Sequence, residues 1–337
     1  LDTLTTGEEN VAIGDLALLN STVSSLVAVG AEALKQNTSG TGNTAVGRKA
    51  LESNTTGGSN TAVGQSALDA NTTAGNNTAV GLNCMTANTT GGQNTAVGSA
   101  CMADNTTGEK NVAMGVAALT DNTTGDRNIA IGYTAMFENT TGEKNTAVGY
   151  GALSTNNSSN NVAVGHGAMQ TSSSGSSNTA LGSQALHLNT TANNNTALGY
   201  ATMQANTTGH SNVAVGTNAL DANTTASNNT AVGHESLGGN TTGTGNTAVG
   251  AYALQDNTTA SNNTAFGQSA LKENVNGIGN TAVGVNALKL NVSNSNSTAC
   301  GFGALQNSNG GSNNTAMGVN ALHSNTSGSY NVAIGTA

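Results

Sequence analysis

Side chains that ordinarily carry chemistry are sparse in this 337-residue chain: five His, three Cys, 8 Lys plus Arg, 17 Asp plus Glu and no Trp. The histidines His166, His187, His210, His234 and His323 are scattered, with no three placed to converge on one ion as metal ligands must. Neither a metal nor a cofactor is expected, and the histidines read as surface residues. Cys84 and Cys101 stand 17 residues apart, a spacing that recurs through the whole chain. Stacked at that spacing they fall within disulfide range. Parallel stacked side chains nevertheless point the same way, and Cys is a small apolar replacement for Ala, so free thiols are expected. Cys300 occupies an apolar slot and reads as packing.

Asn-x-Thr/Ser sequons recur almost once per repeat, at Asn37, Asn54, Asn71, Asn88, Asn105, Asn122 and onward. In a secreted eukaryotic protein they would imply a coat of glycans; a structural role for the Asn explains them equally well. Tyr133 and Tyr150 are consecutive copies of one position and form the candidate glycan contact, with Tyr200 and Phe302 farther along. Three successive acidic–basic pairs, Glu109-Lys110, Asp126-Arg127 and Glu143-Lys144, stack like over like as solvated surface. Thr columns invite comparison with ice-ordering faces. Because the regular Thr slot alternates with Val and Ile, it reads as buried, and no thermal hysteresis is expected.

The element that positions all of these is an internal repeat. Aligned on Gly14, Gly30, Gly47 and onward to Gly335, the chain falls into 20 copies, spaced by 17 residues except for steps of 16 at Gly14–Gly30 and Gly149–Gly165. The unit reads Asn-Thr-Ala-Val-Gly-x-x-Ala-Leu-x-x-Asn-Thr-Thr-Gly-x-x, which is too short for two helices. Its second slot is β-branched in all 20 copies, Thr in 13 and Val or Ile in seven. Its fourth slot is always apolar but ranges from Cys300 to Phe266, and the slot between is always Ala. This is strand chemistry. By alternation the second and fourth slots share one face, and the Asn, Ala and Gly slots share the other.

Every Asp, Glu, Lys and Arg falls in one of three two-residue windows, one and two, five and six, or eleven and twelve residues after the Gly. Three polar corners separated by uncharged runs describe one coil stacked on the next. The expected fold is therefore all-β, a parallel β-solenoid or β-roll of about 20 coils forming a single repetitive rod over residues 1–337. At the parallel strand spacing it would be on the order of 90–100 Å long. Asn43, Asn60, Asn77, Asn94, Asn111, Asn128 and Asn145 occupy the first slot and are expected to form a structural ladder bonded up and down the stack. A second Asn column lies seven residues after the Gly. Since no charge ever enters the Ala slot, that face is expected to press against another copy of the chain, with three chains around one axis.

Composition narrows function further. Charged residues make up 7% of the chain and aromatics 2%, with no Pro, so an enzyme is not expected. A net charge of −9 argues against nucleic acid as a partner. No apolar run approaches the roughly 20 residues of a spanning helix, so no membrane partner is expected. Leu1 to Thr6 lack the basic start and apolar centre of a signal peptide, and the chain reads as an excerpt of something longer.

Asn-Val-Ala-Ile-Gly at Asn10–Gly14 and again at Asn331–Gly335 resembles the repeat in the heads of trimeric autotransporter adhesins, which form trimeric β-rolls. The 17-residue version, with Ala-Leu and Asn-Thr-Thr-Gly following, is similar to the repetitive shafts of bacteriophage tail fibres. The resemblance covers the whole chain and departs from the adhesins in its longer unit. It implies a homotrimeric fibre shaft on a virion tail or in another extracellular setting. Such a shaft would hold a receptor-binding tip toward the host and meet other tail or fibre proteins. The alternatives are an adhesin whose wall binds host surface polysaccharide and the subunit of an extracellular filament.

Overall fold

The computed structural model describes residues 7–337; Leu1 to Thr6, the stretch read for a signal peptide, lie outside them. The chain divides into two compact units, the first ending at Gly167 and the second running from Ala168 to Ala337. Each is a parallel β-solenoid with ten three-residue strands, and no described residue is helical. In the first unit the strands run from β1 (Val11–Ile13) to β10 (Val162–Val164), in the second from β11 (Thr179–Leu181) to β20 (Val332–Ile334). Within each unit every strand pairs in parallel with the next in chain order, slot against slot: Thr44 with Thr61, Ala45 with Ala62, Val46 with Val63. The 17-residue unit fixes this register, and the 16-residue steps keep it, since Val11 still pairs with Val27 and Thr146 with Val162.

Only the Thr-Ala-Val run is strand. The Ala-Leu side of the coil is a turn in which the second and fourth residues after the Gly take left-handed backbone, as at Lys49 (φ 64°) and Leu51 (φ 54°). This conformation is disfavoured for Leu in isolation. It persists because the stack supplies a bond at each level, such as Leu51 N–H to Ala67 O at 3.0 Å and Leu68 N–H to Cys84 O at 3.0 Å. In return the Leu side chain points inward.

The interior is narrow and made of columns. The strand Ala, the Ala or Cys three residues after the Gly and the Leu or Met after that are almost all fully buried within the single chain, as at Ala45, Ala50 and Leu51. The Ala face of the strand is thus the inner face. The Ala slot admits one size because a Leu column and a second Ala column of the same chain fill the space opposite, not because another chain presses there. The face turned outward is that of the second and fourth slots, which are half-buried or exposed in every strand. Cys300, in the fourth slot of β18 (Thr298–Cys300), accordingly lies exposed on that outer face.

This assignment predicts unequal effects from two adjacent substitutions. Ala147→Leu forces three extra heavy atoms into a filled interior and should destabilise by about 1–3 kcal/mol or more. Val148→Leu points outward, where Leu181 and Leu198 already occupy the slot, and should shift a thermal melt far less. Equal shifts for the two variants would mean that the interior has room to spare.

Candidate functional site

The seven first-slot asparagines, Asn43 to Asn145, are 0–1% exposed. Their bonding differs from a plain amide-to-amide ladder. Each Oδ1 accepts from the backbone N–H of the next first-slot residue, as from Asn60 to Asn43 (2.9 Å) and from Asn111 to Asn94 (2.9 Å). Each Nδ2 donates to a corner carbonyl 13 or 14 residues on, Asn43 to Gly57 O at 2.7 Å and Asn94 to Gly108 O at 2.8 Å. The column therefore ties the strand to the corner of the following coil.

The true amide-to-amide ladder is the second column. Asn54 Nδ2 donates to Asn37 Oδ1 (2.8 Å), Asn71 to Asn54 (2.8 Å) and Asn105 to Asn88 (2.8 Å). A ladder with one direction of donation must end on an acceptor. It does so at Asn139, whose buried Oδ1 has no partner: the next member, Asn156, makes the corner bond to Ser158 O but not the bond back to Asn139. In the second unit it ends likewise at Asn291, where the next member is Ser308. Since the sequons Asn37, Asn54 and Asn71 belong to this column, the nitrogen that a glycan would join is buried and already donating. Sequons at Asn76 and Asn228 lie in a different column and are exposed. Beside the ladder, corner threonines such as Thr55 and Thr72 donate to carbonyls of the next coil.

Tyr133 and Tyr150 stack at 5.3 Å between ring centroids with 16° between planes, and His166 continues the stack at 5.2 Å and 12°. His166 was not expected to join them. The signal was present, since it too is the first residue after a Gly, one 16-residue step beyond Tyr150. The rings occupy one another's faces and leave edges toward solvent, with both tyrosines about half exposed. A sugar can stack on a ring face only at the ends of such a column. In the second unit His234 meets Tyr252 edge-on at 5.3 Å, and Lys272 sits 5.9 Å from the Tyr252 centroid.

Cys84 and Cys101 are free and fully buried, and Met85 N–H to Cys101 O (3.0 Å) sets the two coils in register beside them. The hydrogen bond that its own S–H makes to Cys84, followed by burial, pushes the Cys101 thiol well above its usual range. These thiols pack rather than react. Among the described residues no three His, Cys, Asp or Glu side chains gather as a metal site would require.

Of the three expected charged corners, only Lys110 and Glu109 approach as an ion pair, at 3.8 Å, while Asp126 instead accepts the Glu109 N–H at 2.7 Å. A denser network stands elsewhere. Lys49 lies 3.0 Å from Glu52 and 3.5 Å from Glu32, and Lys35 lies 3.8 Å from Glu52. The bond to Glu52 is the first cause of the raised Lys49 ammonium. One surface notch of about 260 Å³ opens where Gly238 and Gly239 remove two side chains from a corner, and it is walled by Asn218, Asp221, Glu235, Gln255 and Asp256. Gln255 Nε2 donates to Glu235 across it, and burial raises the Asp221 carboxyl.

Asp104, Asp121 and Glu138 share the position six residues after the Gly in three successive coils. Burial, then Asp104 and Glu138, hold the Asp121 carboxyl above its usual range. The folded chain binds this proton more tightly than the unfolded one, so the associated stability is present at acid pH and lost as pH rises through the raised value. Asp121→Asn should therefore raise the melting temperature at pH 7, with the two proteins converging below the ordinary Asp value of about 3.9. A constant difference across that window would show that the carboxyl titrates normally.

No family profile matches this chain, and no curated protein is similar to it.

Proposed function

We propose that this chain is a structural fibre segment: the shaft of a phage tail fibre or a similar extracellular appendage, assembled as a homotrimer, that holds a receptor-binding tip toward a host surface. The observation that carries this reading is the closed interior. Coil after coil is filled by Ala and Leu columns flanked by two bonded Asn columns, so each coil is tied to the next by side-chain as well as backbone hydrogen bonds. That construction resists extension and bending, which is what a spacer must do. Chemistry has little foothold in it. Other tail or fibre proteins are the partners at its ends.

The test is assembly and placement. Light scattering on the purified chain should give three times the chain mass. Antibodies against the charged corners should decorate the length of fibres that project from virions or cells. A monomeric chain, or label absent from any projecting fibre, would overturn the reading.

The stacked column Tyr133–Tyr150–His166 favours a second reading, an adhesin whose wall contacts host glycans. Saturable binding on a glycan array, lost in Tyr133→Ala/Tyr150→Ala, would support it over a passive shaft.

A further inference from the structure

We infer that the outer face of the strands, formed by the second and fourth slots, is the surface through which copies of this chain pack together. This rests on the reading that the chain self-associates, and it relocates the contact from the Ala face, which the chain's own interior occupies. Three observations converge on that face and on a second copy as its occupant.

The first is chemistry. Across all 20 strands the two outward slots hold only Thr, Val, Ile, Leu, Met, Phe and Cys. Met114, Ile131, Leu181 and Phe266 stand 37–44% exposed there. Single exposed apolar residues are ordinary, but a continuous uncharged column is not. By strand dimensions the face of each unit measures about 10 by 45 Å, or about 450 Å². Two copies meeting on this face in one unit alone would bury about 900 Å² in total, at the low end of specific interfaces.

The second is charge. A chain of net charge −9 repels its own copies, and the corner columns would set Asp104, Asp121 and Glu138 against the same acids. The outward strand face is uncharged and, unlike the equally uncharged Thr-Thr corner at Thr55-Thr56 and its equivalents, carries an apolar residue in every copy, so like meets like there without repulsion.

The third is period. The face repeats once per coil, about every 4.8 Å, over ten strands in each unit. A globular partner has no matching period. Another copy has the same one, and its side chains can meet this face level by level.

Cys300, exposed on that face, is a native probe. In the unmodified chain, light scattering should show an oligomer, and native Cys300 should react with iodoacetamide several-fold more slowly than in a Val148→Lys/Val249→Lys variant, which places one charge on the face of each unit. That variant should run as a monomer with an unchanged circular-dichroism spectrum, whereas Gln65→Lys at an exposed corner should stay assembled. An assembled wild type with fast Cys300 labelling would overturn this surface while leaving self-association standing. A monomeric wild type would overturn both. A monomer showing thermal hysteresis would mean that the Thr and Val rows order water instead of a second chain.

Discussion

Asn94→Leu should lower the thermal stability of the first unit by about 1–3 kcal/mol, because it strands one buried backbone group, the Asn111 N–H. The Asn111 N–H loses the Oδ1 that accepts it, while the Gly108 carbonyl loses one of its two amide donors and keeps Asn105 Nδ2. Leu cannot replace either bond, and its branched end would meet a corner already filled by the Asn105 amide, which also donates to Gly108 O at 3.1 Å. The comparison that isolates burial is Asn331→Leu. Asn331 occupies the same slot but is only part-buried, and its amide donates to Asn314 Oδ1 rather than to a corner carbonyl. A denaturant melt should therefore fall steeply for the Asn94 variant and slightly for the Asn331 variant. Equal melts would mean that water reaches the column and that the asparagines merely shape a bend.

That column was legible in the sequence as to place but not as to bonding. The period of 17 put Asn94 above Asn77, and the charge windows put corners on either side; both follow from stacking alone. Which atoms bond depends on where the corner carbonyl of the next coil falls, and no residue type encodes that. The faces show the same limit. Alternation establishes that Ala147 lies opposite Thr146 and Val148, yet not which side is inward. The invariance of Ala suggested a close partner, and the Leu or Met that stands four residues after the Gly held the better clue. A Leu column needs a small neighbour across a narrow interior. The left-handed backbone at Leu51 and Leu68 left no trace in composition, because it opposes the intrinsic preference of Leu and is held only by the bonds of the stack. His166 shows the reverse case, where counting from the Gly would have joined it to Tyr150. The notch at Gly238-Gly239 was equally readable, as the one corner where the two residues before the second-column Asn are both Gly.

Gly64→Ala should disrupt the first unit severely. Gly64 has φ +139°, a backbone region that side chains rarely enter, and a Cβ built there would lie 2.2 Å from the Gly81 carbonyl oxygen and 2.6 Å from its carbon. Backbone atoms cannot swing aside as a flexible side chain can. Relief requires either Gly64 to leave its conformation or the coil carrying Gly81 to move away. The second course stretches the bond from Gly81 N–H to Val63 O, 2.8 Å, and the strand pairing next to it. The conformational strain alone is of order 1–3 kcal/mol, and the displaced coil adds lost bonds to that. Gly335 has nearly the same φ, +133°, but nothing within 4 Å of its Cβ position. The pair Gly64→Ala and Gly335→Ala therefore separates the two causes: conformation acts in both, close approach only in the first. A melt of the Gly64 variant well below that of the Gly335 variant is expected. If the two fell together, the invariance of this glycine would rest on its φ alone, and the spacing between coils would have slack that the hydrogen bonds do not show.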